Sequence, residues 1–207
     1  MSTYKPSPLE FTSIGTIPVR VPGNSSSSRV YHVHISLLYG QSKLVKRIIW
    51  EGVGTGGIQI PDYVAGLGFE HFVTWLHNGD ILEGHFKRHI INLWELAFEL
   101  ESNSFKAYLK EKGKECLGES DYLAFAQRLE TMQPADSSFS LQDLHDYMFQ
   151  GLADKIHTDG WTSFIEKTEG GWEDLMNRKD DEDGTKGKFL SSLMAWLDKD
   201  DRKSTPG

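Results

Sequence analysis

The sequence predicts an α+β fold in which a short β-sheet near the start flanks a helical cluster, followed by a helical C-terminal extension. Two observations carry this. "RVYHVHI" alternates, with Val30, His32 and Ser36 set against Tyr31, Val33 and Ile35, as a strand does. From His34 the period changes, and positions 34, 38, 42, 45 and 49 fall on one face of a helix. Most of the remaining chain keeps the helical period.

Residues 1–10 form a proline-containing leader, expected to be flexible, and "TSIGTIPVRV" is a β-branched strand. "PGNSSSS" is turn material that closes a hairpin onto the second strand. A helix follows from residue 34 to 49, widened by Leu37, Leu44 and Ile48. The glycine-rich "EGVGTGG" stops it and "IQIP" makes a short strand. "DYVAGLGFEHFVTWLHNG" is a second helical stretch, with Phe69, Phe72, Val73 and Leu76 on one side and Gly79 suited to the C-terminal cap. A third helix carries the stripe Ile90, Leu93, Ala97 and Leu100. Two shorter amphipathic helices lie in 104–117 and 120–132. Beyond "QPADSSFS", helical periodicity resumes from Leu141 to Trp172 and again in "FLSSLMAWLDK". The charged "RKDDEDGTKGK" separates the two. The expected organisation is a domain over 11–132, a helical extension over 133–198, and a disordered tail over 199–207. Leu141, Leu144, Met148 and Leu152, with Phe189, Leu193 and Trp196, make stripes too apolar to leave in water, so the extension should dock on the core rather than trail as a linker.

The bulk numbers narrow the function. The chain has 207 residues, long enough for one real core, and a formal charge of −8. That charge argues against nucleic-acid binding by phosphate neutralisation, which needs a basic face. The N-terminus lacks the basic-then-apolar pattern of a signal peptide, and no apolar run approaches the ~20 residues of a membrane span. An intracellular protein, cytoplasmic or nuclear, with no membrane role is the expectation. Cys116 is the single cysteine, so neither an internal disulfide nor a thiolate metal cluster is expected.

No motif announces catalysis, a cofactor or a metal. His32 and His34 share a strand face, but zinc needs three or four ligands and nothing nearby in sequence completes the set. A hinge role for His34, bonding a backbone group, is the better reading. His85 and His89 are four apart and share a helix face, yet Lys87 and Arg88 lie between them and no H-E-x-x-H is present, so a solvated helix start is expected. Gly52, Gly54 and Gly57 satisfy G-x-G-x-x-G, but a dinucleotide loop follows a strand and opens a helix. Here the order is reversed, so a helix-to-strand connection is expected.

The ordered pattern resembles the BTB/POZ domain over roughly residues 11–112. It consists of a strand pair ending at His34, then Leu37, Leu38 and Ser42 on a helix, and a short strand. After these come Phe69, Phe72, Trp75, Leu76, Gly79 and Ile81, and finally Leu96, Ala97, Leu100 and Phe105. The longer fungal members, with helices beyond the core, are closest in style. The chain departs from the family pattern at Thr16, where an acidic residue often stands, and at Val45 and Ile49, often phenylalanine. The resemblance implies a protein–protein interaction module that self-associates or bridges partners. It also implies a candidate cullin contact for ubiquitin-ligase adaptors, an apolar-x-Glu triplet read here as Ile49-Trp50-Glu51. The outer helix face, with Tyr39, Lys43, Lys46 and Arg47, would form the partner surface. Its wetness, and Pro18, which cannot donate to a ladder, set a weak or partner-dependent contact beside the family's homodimer. The competing reading is an enzyme with a pocket between the domain and the C-terminal helices, which would require titratable groups converging in a closed apolar cavity.

Overall fold

The switch from period two to period 3.6 at His34 is realised in the backbone. In the computed structural model, which describes residues 15–22, 29–52, 57–65, 67–131, 139–177 and 184–201, strand β2 (Arg29–His34) ends where helix α1 (Ile35–Gln41) begins. β2 runs antiparallel to β1 (Thr16–Val21), with Val19 opposite Tyr31 and Thr16 opposite His34. β1 is the central strand of the sheet. On its other side β3 (Ile58–Gln59) pairs in parallel, Val19 against Ile58 and Arg20 against Gln59. The chain is thus a mostly helical α+β protein with a small three-stranded mixed sheet near its N-terminus.

The inward-facing residues Val19, Val21, Val33, Ile58 and Ile60 are buried, as strand alternation requires, and His32 and His34 stand in solvent on the opposite face. Gly57 lies at the start of β3 with φ +91, and a Cβ there would sit 2.7 Å from Pro18 Cγ and closer still to the Pro18 carbonyl. Of the three glycines in the G-x-G-x-x-G match, Gly57 therefore serves strand approach. Gly54 lies outside the described residues.

The single helix expected over 34–49 is two helices. α1 ends at Gln41, Ser42 is extended (φ −137, ψ 124), and α2 runs Lys43–Gly52. The Ser42 side chain explains the break. Its hydroxyl donates to the Leu100 carbonyl at 2.8 Å and accepts the Val45 N–H at 3.1 Å, so one buried hydroxyl caps α2 and ties the junction to a distant turn. The apolar phase survives the break, with Leu38, Val45 and Ile49 all buried. Replacing Ser42 by alanine removes the hydroxyl that accepts the Val45 N–H and one of two donors to the Leu100 carbonyl, which keeps the Leu44 N–H at 3.4 Å. We expect a loss of about 2 kcal/mol in chemical denaturation, the sum of one cap and one buried hydrogen bond. A loss near zero would mean that water replaces the hydroxyl.

After the short α3 (Asp62–Ala65), α4 (Phe69–Asn78) starts at Gly68 and stops at Gly79, both in the left-handed region at φ +84 and +74. The second helical stretch of the sequence is therefore divided at Gly68. Gly79 closes α4 as expected, its N–H donating to the Trp75 carbonyl at 2.8 Å. α5 (Glu83–Glu99) buries Phe86, Ile90, Leu93, Trp94 and Ala97, and Leu100 just beyond its end is buried too. α6 (Asn103–Cys116) adds Phe105 and Leu109, so that Phe69, Phe72, Trp75, Phe105 and Tyr108 form a chain of ring contacts 4.9–6.2 Å apart between centroids.

The chain divides into two compact units, residues 1–111 and 112–207. α7 (Glu119–Thr131) belongs to the second unit together with the later helices. These are α8 (Phe139–Asp159), α9 (Trp161–Lys167), α10 (Gly171–Met176) and α11 (Thr185–Asp201). α8 packs on α7, α9 and α11. Of the expected stripes, Leu144, Met148, Leu152, Phe189 and Leu193 are buried, while Leu141 and Trp196 are half-buried. α7 and α8 meet closely where the Tyr122 ring covers Gly151. A polar clip joins three helices, Glu130 of α7 accepting from Ser192 of α11 at 2.7 Å and lying 3.0 Å from the His145 ring of α8. The single helical run read over 141–172 is broken at Gly160 and Gly170, both at positive φ. α11 carries into the segment read as tail and ends at Asp201, while the leader 1–10 and residues 202–207 lie outside the described residues. Among the described residues no helix is long and apolar enough to cross a membrane.

Candidate functional site

Helix α2 presents a solvent face built by i, i+4, i+7 spacing: Lys43, Arg47 and Trp50, with Glu51 beside Arg47 one turn on. All four are exposed, and Trp50 leaves 46% of its surface in water. Tyr39 on α1 is half-buried, with the Lys46 ammonium 5.1 Å above its ring, a cation–π contact that orients both side chains. Ile49 points the other way and is 4% exposed. The apolar-x-Glu triplet is thereby corrected. Its proposed apolar anchor belongs to the core, because Ile49 continues the buried phase of Leu38 and Val45, and only Trp50 and Glu51 remain available to a partner.

A hollow of about 530 Å³ opens beside this face, lined by Lys43 and Arg47 of α2 and by Ala97, Phe98, Glu101 and Lys106 around the α5–α6 turn, among others. Phe98 leaves 43% of its surface exposed, while its neighbour Ala97 is buried. The hollow owes its shape to the turn. Glu101 takes φ +49, unusual for a residue with a side chain, and the buried Ser102 next to it accepts the Phe105 N–H through its hydroxyl. Arg47 pairs with the Glu101 carboxylate and Ser104 bonds Gln41, so α1 and α2 are laced to the turn by surface contacts as well as by Ser42. Because both members of the Arg47–Glu101 pair are largely exposed, it adds at most about 0–1 kcal/mol and sets geometry more than stability.

The remaining residues singled out in the sequence have structural posts. His34 occupies the cap position of α1, but its side chain makes no capping hydrogen bond and is exposed, so the hinge is made by the backbone and not by the imidazole. Leu38, Ser42, Phe69 and Ala97 are buried, Leu76 is half-buried, and Gly79 supplies the positive φ that ends α4.

One grouping was not legible as a set. His85 and His89, read as a solvated pair, are joined by His71 of α4, whose ring centroid lies 5.4 and 5.1 Å from theirs. One ring nitrogen from each of the three lies within 4.8 Å of the others. Burial holds the His71 ring below the ordinary histidine pKa, Glu70 opposing this and His89 and His85 adding to it. Its neutral form therefore persists further into acid. The signal available in sequence was partial: the i, i+4 spacing of His85 and His89 was visible, but only the α4–α5 packing brings His71 to them.

Compared with known proteins, the chain matches no family model, no curated protein and no solved structure.

Proposed function

We propose that the N-terminal unit is a protein–protein interaction module of BTB/POZ type, and that it engages a partner through the α2 face and the adjoining hollow. The observation that carries this reading is a recess of binding-site size lined by the exposed aromatic Phe98 and the cations Lys43 and Arg47, with Trp50 exposed on the same α2 face as the two cations. Aromatic and arginine side chains are the groups that dominate interface energetics when they are desolvated. The order of elements supports the family assignment: a strand pair closing at His34, a parallel third strand, and the buried Ser42 between two short helices.

The partner is a protein segment that places an apolar side chain in the hollow and a carboxylate near Lys43. A second copy of this acidic chain is the first candidate, in keeping with the family's habit of self-association. A cullin-type scaffold remains the narrower form of the proposal, with Trp50 in place of Ile49 as its apolar contact. The charged side chains that line the hollow are exposed (Lys43, Arg47) or half-buried (Glu99, Glu101, Lys106), whereas an enzyme would be expected to converge its titratable groups in a closed apolar cavity.

Light scattering across a concentration series tests self-association directly. We expect the mass to rise above 23.5 kDa with concentration, and a Phe98→Asp, Lys43→Glu double variant to remain monomeric. A strict monomer at high concentration assigns the surface to a different protein. In that case, partners retained from a lysate by the native chain should be lost by the double variant. Equal retention by both would refute the proposed face.

A further inference from the structure

We propose that His71, His85 and His89 bind a zinc-class divalent transition-metal ion, three imidazole nitrogens from α4 and α5 holding it with a fourth position open to solvent or to an incoming ligand. His85 and His89 leave the first turns of α5 from one face, one turn apart. His71, the third residue of α4, approaches that face from the neighbouring helix, and the three ring centroids lie 5.1, 5.4 and 6.4 Å apart. Tetrahedral zinc with bonds of about 2.0–2.1 Å sets its nitrogens roughly 3.4 Å apart. The present spacing, within 4.8 Å, closes to that by side-chain rotation of little more than an ångström.

The three side chains divide the work. His71 is the fixed ligand: it is half-buried, and its ring lies against Gly68, where an added Cβ would come within 3.1 Å of the ring Cδ2. His85 is exposed and can turn to meet an ion. Among the described residues none of the three rings makes a hydrogen bond or ion pair that would explain their convergence.

The lysine between the two α5 histidines does not oppose the ion. Lys87 lies about 200° around the helix from His85, on the far side. Its ammonium is 3.1 Å from the Glu83 carboxylate. Arg88 is exposed, where solvent screens it. An all-imidazole set favours zinc, nickel or copper over magnesium or calcium, which prefer oxygen. Three histidines with a fourth position open is the arrangement that lets an ion take a water or an external group.

Calorimetric titration of the tag-free full chain with zinc chloride tests the site. We expect one ion per chain and no comparable heat with magnesium. The affinity should weaken at least about tenfold in His71→Gln and in His89→Gln, since even the loss of a supporting partner costs that much at known sites. His85→Gln, at an exposed position, provides a variant whose fold is not at issue, and circular dichroism checks the other two. Cobalt in place of zinc should give the visible absorption of a tetrahedral nitrogen-rich site, lost in each variant. The Tm should rise with added zinc by mass action in the native chain and not in the variants. Absence of stoichiometric zinc binding overturns the proposal. So does binding that all three variants retain, which would assign the ion to His32 and His34 or to Cys116.

Discussion

Phe72→Ala should destabilise the N-terminal unit by about 3–5 kcal/mol, the range for removing a large aromatic from a packed core. The ring is fully buried and contacts Phe69, Trp75 and Phe105 at centroid distances of 5.7, 5.7 and 5.1 Å. It thus joins α4 to α6 at the centre of the aromatic chain. Beyond it, the Tyr108 hydroxyl donates to Asp80 at 2.8 Å and accepts the Ile81 N–H at 2.7 Å, so the far end of the cluster is pinned and cannot easily collapse into the space left. Urea denaturation of the two proteins gives the difference. Phe72→Leu, which keeps most of the volume, should lose less than half as much. A loss below about 1.5 kcal/mol for the alanine variant would show that the neighbouring rings refill the cavity.

The second large effect is expected at Gly57. An alanine there carries two costs: the backbone stands at φ +91, where a Cβ is strained, and the new carbon meets the Pro18 ring and carbonyl across the sheet. Strain at such a backbone angle costs about 1–3 kcal/mol and overpacking a similar amount. We expect about 2–4 kcal/mol, read as a drop in Tm of the full chain. A variant as stable as the parent would mean that β3 can shift away from β1 without cost. Pro18 itself, placed in the central strand opposite His32, takes no free edge.

Local periodicity made much of this fold legible. The strand-to-helix switch at His34, the buried phase Leu38–Val45–Ile49, the cap at Gly79 and the stripe Ile90–Leu93–Ala97–Leu100 are properties of short windows, and each appears where the spacing places it. The break at Ser42 was hidden because serine inside a helical pattern is neutral by propensity. What ends α1 is an acceptor at Leu100, far along the chain. The splits at Gly68, Gly160 and Gly170 were within reach, since each glycine interrupts an apolar run, but an isolated glycine is also tolerated inside helices.

The candidate surface was half legible. Lys43, Arg47 and Trp50 could be placed on an outer face by counting, and counting also put Ile49 inside. Phe98 and the α5–α6 turn could not be joined to that face without the tertiary structure, because nothing local brings residues 97–106 beside residues 43–47. The histidine grouping has the same character, with its third member contributed by another helix.

The mixed pairing of the sheet bears on how the chain acquires its structure. β1 and β2 meet over a short connection, so their ladder can form early and locally. The parallel partner arrives only after the whole of α1 and α2 has been traversed, which makes its loop closure costly in entropy. β3 offers only two residues of ladder to offset that cost, helped by the Ile60 N–H donating to the Arg20 carbonyl at 2.9 Å. Its docking therefore waits on the helices, whose burial of Leu38, Val45 and Ile49 brings the two strand segments together. In kinetic terms the third strand is expected to be a late passenger, completing the sheet only once the helix pair hinged at Ser42 has packed.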